Sequence, residues 1–140
     1  MAAMKPFSPL RFAAAVLIGS TISACATVPN APIVSNGPAA SAGTAVPLGK
    51  PVVAGNLVAT PMEVHEDSRC PANARCVWAG RVIVLTRIDG AGWRETAYLT
   101  LGEPYATHGT RLTLTSASPA AMTGEAIAPS DYRFTYSDSE

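Results

Sequence analysis

One short stretch, Glu66-Asp67-Ser68-Arg69-Cys70-Pro71-Ala72-Asn73-Ala74-Arg75-Cys76-Val77-Trp78-Ala79-Gly80, restricts the fold more than any other part of the chain. It holds two of the three cysteines and one of the two tryptophans, and strand-like sequence flanks it on both sides. Pro71 and Asn73 bend the backbone between the cysteines. A Cys70–Cys76 bridge would close a loop of about seven residues, which the chain-entropy account values at roughly 2.4 kcal/mol. On this reading the stretch is a stapled connection between two strands.

Whether the cysteines can pair depends on where the chain resides, and the N-terminus bears on that. Lys5 and Arg11 precede an apolar run from Phe12 to Ile22 that is broken only by Gly, Ser and Thr. The run is too short for a permanent membrane span, which needs roughly 20 apolar residues, and it reads as the core of a secretory signal peptide. It ends in Ile22-Ser23-Ala24-Cys25, which resembles the lipobox of bacterial lipoproteins, where the Cys takes a lipid and becomes the mature N-terminus. That resemblance implies lipidation at Cys25 with diacylglyceryl and palmitate groups. It makes residues 1–24 the leader, and Ala26 at the next position favours the outer membrane over retention by Asp. Cys25 is then spoken for, and Cys70 and Cys76 remain as a pair in an oxidising compartment.

Residues 25–49 are rich in Pro, Ala, Gly and Ser, carry no charge and show no apolar period, so they read as a tether. The folded domain is expected over residues 50–137. Loss of Lys5 and Arg11 with the leader leaves eight basic against ten acidic residues, and no basic stripe points to nucleic acid. Val52-Val53 and Leu57 to His65 read as strands about a Gly55-Asn56 turn, with Pro61 marking an edge or a bulge. On the second of these Val58, Thr60, Met62 and Val64 share one face and Glu63 and His65 the other. Arg81 to Ile88 is nearly continuous in β-branched and apolar residues and reads as a central strand buried on both faces. Asp89-Gly90-Ala91-Gly92 turns it into Trp93 to Leu101, where Ala97, Leu99 and Leu101 alternate with polar residues. Arg111 to Thr115 and Tyr132 to Tyr136 complete six strands, joined by a long connection from Ser118 to Ser130. The expected fold is all-β, a small antiparallel β-sandwich, immunoglobulin-like or an open barrel. Tyr132 has a faint likeness to the tyrosine corner of such sandwiches, beside the plainer reading of core or edge packing.

Trp78 follows Cys76 by two residues, so on a strand the indole would share its face and roof the disulfide. The alternative is an exposed aromatic contact for a ligand such as a sugar ring. Asp67, Arg69, Asn73, Arg75 and Trp78 form a possible binding loop, pre-organised by the bridge for a protein or glycan partner. Redox catalysis is the rival, but its motif separates the cysteines by two residues at a helix N-terminus, and here five intervene with no helix following. Glu63, His65 and His108 have no metal-ligand spacing, no Gly-x-Ser-x-Gly occurs, and no cofactor fingerprint is present, so neither a catalytic residue nor a metal or cofactor is expected.

Asp67-Ser68-Arg69-Cys70-Pro71 followed by Cys76-Val77-Trp78-Ala79-Gly80 and an alternating strand resembles a signature of small bacterial lipoproteins and exported proteins. The resemblance is tight over about 15 residues and loose from about Lys50 to Tyr136. It implies a lipid-anchored or periplasmic β-rich domain with a stapled loop and transfers no catalytic residue. The expectation is therefore an outer-membrane lipoprotein facing the periplasm, with a structural or binding role. The alternatives are a thiol/disulfide enzyme, an inhibitor or a carbohydrate-binding module.

Overall fold

The computed structural model describes residues 37–140, so the expected leader, Cys25 and the first part of the expected tether lie outside the described residues. Among the described residues seven strands form two antiparallel sheets. The first contains β1 (Val52–Ala54), β2 (Leu57–Asp67), β3 (Val82–Gly90) and β4 (Trp93–Thr100). The second contains β5 (Pro104–Thr107), β6 (Thr110–Ser118) and β7 (Arg133–Ser139). Strands neighbour one another in chain order, so each sheet is a plain meander. The short β5, which opens on Pro104 and has only four residues, is one strand more than the sequence pattern suggests.

The core is the shared interior of the two sheets. Val52, Leu57, Ala59, Val82, Val84, Ile88 and Leu99 come from the first, and Leu112, Leu114, Phe134 and Tyr136 from the second. Contrary to the expectation of a doubly buried central strand, β3 alternates: Val82, Val84, Thr86 and Ile88 are buried, while Ile83, Leu85 and Arg87 are half-buried. A two-layer sandwich covers only the inner face of each sheet, so the β-branched run marks a strand with neighbours on both edges rather than on both faces. Thr86 takes its place in this interior by sharing a 2.9 Å hydrogen bond with the Tyr136 hydroxyl. Burial there pushes the Tyr136 phenol far above its ordinary pKa.

β2 corrects the sequence pattern in an instructive way. Its partners on β3 run Ala59↔Ile88, Pro61↔Thr86, Val64↔Val84 and Asp67↔Val82, with register shifts between Pro61 and Glu63 and between Val64 and Glu66. Each shift inserts one extra residue and changes which parity faces inward. Ala59, Pro61, Val64 and Asp67 thus lie opposite inward residues of β3, with Leu57 on the same side, so Val58, Thr60, Met62 and Val64 do not share one face; Thr60, opposite Arg87, is nonetheless fully buried. The second bulge turns Asp67 toward the interior at the end of the strand.

The tether boundary also moves. Val46, assigned by composition to the tether, is 1% exposed and lies in the core. It exchanges two 2.9 Å backbone hydrogen bonds with Phe134 of β7. Ala40 donates to Pro51 O at 2.8 Å and accepts from Val53 N at 2.9 Å, beside β1. The segment from Ala40 to Val46 therefore straps the free edge of β1 to the free edge of β7, satisfying backbone groups that an open edge would leave for other chains. The ordered domain begins upstream of Lys50 because Val46 is the apolar plug of that seam.

The strands define two poles. Gly55-Asn56, Ala91-Gly92 and His108-Gly109 make three tight hairpin turns, and the Trp93–His108 contact brings two of them to one pole. At the opposite end of β3 lie the cysteine loop and, bonded to it, the connection between β6 and β7. Eight residue steps along β3, at about 3.4 Å each, put roughly 27 Å between the two poles.

Candidate functional site

The loop pole begins as a continuation of the β2–β3 ladder. Ser68 N donates to Arg81 O at 2.8 Å and Cys70 N to Ala79 O at 3.1 Å, so the hairpin narrows before it opens into the turn at Pro71 to Trp78. Gly80 allows that narrowing. Its φ is +67°, and an added Cβ would stand 1.7 Å from Ser68 O. Cys70 and Cys76 are bonded, with Cα atoms 5.8 Å apart. On one flank Arg81 pairs with Glu66 at 3.1 Å, and its hydrogen bonds, with that of Ser68, hold the Glu66 carboxyl below its ordinary pKa.

The inner side of the loop is anchored to the rest of the domain. Arg69 donates through Nε and Nη2 to the two oxygens of Asp67, at 2.8 and 2.7 Å, and through Nη1 to Ala117 O at 2.8 Å. Tyr132 Oη donates to Asp67 Oδ2 at 2.8 Å, and its ring stacks on Phe134 with centroids 5.6 Å apart. The Arg69 hydrogen bonds, joined by that of Tyr132, hold the Asp67 carboxyl below its ordinary range against the opposing effect of burial. Burial, with the Asp67 carboxylate next to it, pushes the Tyr132 phenol up to about 12. Further out, Ala72 N donates to Ala121 O at 2.8 Å, and Asn73 Oδ1 accepts from Thr123 N at 2.9 Å. Two irregular segments thereby brace each other, and each supplies backbone partners that the other lacks.

This geometry sorts the expected binding loop. Asp67, Arg69 and Asn73 are structural, their polar groups occupied by Tyr132, Ala117 and Thr123. Arg75 has neither an ion pair nor a hydrogen bond among the described residues and is exposed. The expectation that Trp78 roofs the disulfide is overturned: Trp78 is 82% exposed, its neighbour Val77 is 92% exposed, and Cys76 is exposed with them. Residues 72–78 run through turns and bends rather than a strand, so Cys76 and Trp78 do not obey the two-residue rule that would align them. Val77 was not among the expected site residues. Its place between Cys76 and Trp78 was the one available signal.

The hairpin pole is built differently. Trp93 and His108 stack with centroids 3.7 Å apart and ring planes 14° from parallel. Thr107 Oγ1 donates to Glu95 Oε1 and lies 2.8 Å from His108 Nδ1. With the hydroxyl proton given to the carboxylate, Nδ1–H of the imidazole is the donor in the second contact. The backbone of His108 has φ +44°, and Gly109 follows at +80°, the pairing a two-residue type I′ hairpin requires. A cleft of about 440 Å³ opens beside this stack, lined by Asn56, Leu57, Trp93, His108, Thr110 and Asp138, among others. The other histidine, His65, lies against Tyr98 on the outer face of the first sheet, with ring centroids 4.7 Å apart. Among the described residues no three His, Cys, Asp or Glu side chains come close enough to hold a metal ion.

Fold and loop together define a small β-sandwich with a disulfide-closed, outwardly apolar hairpin tip. No family model, curated protein or solved structure matches the chain.

Proposed function

We propose that the chain is a binding protein of the cell envelope, lipid-anchored at Cys25, whose disulfide loop presents Arg75, Val77 and Trp78 to a partner. The observation that carries this reading is the exposure of Val77 and Trp78 at 92% and 82% on a two-residue span between Cys76, held by the disulfide, and Ala79, whose carbonyl accepts from Cys70 N. Exposing a large indole forfeits its hydrophobic gain, while a rigid backbone removes the ordering cost of binding. Trp and Arg are also the side chains most enriched among residues that dominate interface energies. The signal-like leader, the lipobox resemblance and the likeness to exported lipoproteins support the envelope location, with the domain on the periplasmic side of the outer membrane.

The thiol/disulfide reading is less well supported by the surroundings of the sulfur. The carbonyl oxygens of Pro71 and Ala74 lie 3.7 and 3.6 Å from Cys70 Sγ. Their negative ends would oppose a thiolate there, the reverse of the electropositive setting that a redox cysteine uses.

Two experiments test the proposal. Labelled palmitate should enter the wild-type chain and not Cys25→Ser, and labelling of that variant would overturn the anchor. A photoreactive amino acid in place of Trp78, expressed in the native envelope, should give a discrete crosslinked species that the same probe in place of exposed Thr96 does not. Equal crosslinking from both positions, or none, would overturn the loop as a contact. Arg75→Ala should weaken the crosslink while leaving the unfolding temperature unchanged.

A further inference from the structure

The two poles carry opposite, unsatisfied features. At the loop pole Arg75 is the one charged residue between Cys70 and Gly80, unpaired and next to the exposed Val77 and Trp78. At the hairpin pole Asp138 lines the cleft of about 440 Å³. Its half-buried carboxylate lies over Gly55, where an added Cβ would stand 1.7 Å from Oδ2. Neither an ion pair nor a hydrogen bond reaches that carboxylate among the described residues. A carboxylate with no cation beside it can take a charge-assisted hydrogen bond from a guanidinium arriving from outside. Glu140 lines the same cleft, its backbone carbonyl accepting from Arg111 Nη1 at 3.3 Å.

The cleft also matches its counterpart in size and surface. Its volume is within the range of sites that enclose a small ligand, and Leu57 and Trp93 give it apolar walls. We infer that the Arg75–Val77–Trp78 tip of one copy seats in the hairpin-pole cleft of a second copy, with Arg75 facing Asp138. This rests on the reading of the loop as a contact and names its partner. The two surfaces lie at opposite ends of the sandwich, so the contact is head-to-tail and leaves a free tip and a free cleft on every assembled pair. A seated tryptophan buries about 150–250 Å², far below the roughly 1,000 Å² of a lasting interface. Association is accordingly weak in dilute solution and grows with crowding on a surface, where tethering raises the effective concentration.

The test uses the full chain in detergent at high micromolar concentration, with mass read by sedimentation. Wild-type mass should at least double as concentration rises. Arg75→Asp and Asp138→Arg should each remain at the protomer mass, since each alone sets like charges against each other. An equimolar mixture should regain wild-type association, because every tip then meets a cleft of opposite charge. Asp138→Asn, which keeps the side-chain shape over Gly55, should also lose association, and equal unfolding temperatures exclude misfolding as the cause. A wild type that stays at protomer mass overturns the inference, and so does a mixture that fails to associate. Crosslinks from position 78 to other proteins, with no self-association, would overturn the second copy and leave the loop reading standing. Absence of both would remove the two together.

Discussion

The two tryptophans stand at opposite poles and in opposite states. Trp93 is packed on His108 and walls a cleft, whereas Trp78 projects from a closed loop at 82% exposure. At the hairpin pole the backbone is regular, three short turns, and the side chains do the packing. At the loop pole the backbone is irregular but cross-linked at many points, and the outermost side chains pack against nothing. The contrast shows that order in the chain and burial of its side chains are separable. The loop is held by its polar inner side, leaving its apolar outer side to project, while the hairpin turns are held by the rings at their base.

If this contrast is right, the largest effect should come from the backbone of the loop pole. Gly80→Ala combines positive φ with a backbone clash and should cost about 3 kcal/mol or more. Gly92→Ala, with equally positive φ but open space around it, should cost about 1 kcal/mol. Denaturant midpoints compare the two, and equal losses would break the contrast. Replacing both cysteines, Cys70→Ser with Cys76→Ser, should cost roughly 2.4 kcal/mol by the same measurement. It should also loosen the 72–78 backbone, read as faster amide exchange there than at His108 and Gly109. Trp93→Ala should cost about 2 kcal/mol through lost packing on His108, visible as a lower unfolding temperature.

Next comes the inner anchor. Tyr132→Phe removes a hydrogen bond to a charged acceptor and should cost about 1.5 kcal/mol at neutral pH. The pH profile identifies the groups. The Asp67 carboxyl is depressed in the fold from 3.8, so its contribution is complete above that value and is lost as pH falls through the lower folded one. Tyr132 is raised from 10.0 to about 12, so its contribution is present below pH 10 and is lost as pH rises toward 12. Tyr132→Phe should therefore shrink the alkaline loss, the remainder belonging to Tyr136, and Asp67→Asn should shrink the acid loss. A profile unchanged by either variant would remove this pair from the account of the loop. The smallest effect belongs to Trp78→Ala, which should alter stability by no more than about 0.5 kcal/mol. A loss as large as that of Trp93→Ala would mean the indole packs after all.

What the sequence disclosed followed its periodicities. β4 and β7 alternate cleanly, and their inward residues Ala97, Leu99, Phe134 and Tyr136 are those the alternation selects. The Cys70–Cys76 pairing was equally legible, from the cysteine count and the turn formers between the two. Where a period breaks, the reading failed for identifiable reasons. Two bulges in β2 reverse its parity after Pro61 and restore it by Asp67, so Val64 breaks the alternation between them, and Asp67 meets a tyrosine 65 positions away that no local pattern could supply. Residues 72–78 have no period, so the side of the loop on which Trp78 would emerge could not be inferred. Val46, set among Pro, Gly and Ala, resembles linker until its position over the seam between the sheets is known.

That seam has a mechanical consequence. Tension drawn through the chain upstream of Gly37 passes into the first sheet at Ala40 and into the second at Val46. The load is divided between the two layers instead of peeling one from the other, as a rivet through two plates would divide it. Val46→Pro, which deletes the N–H bonded to Phe134 O, should lower the rupture force of single molecules pulled from that end.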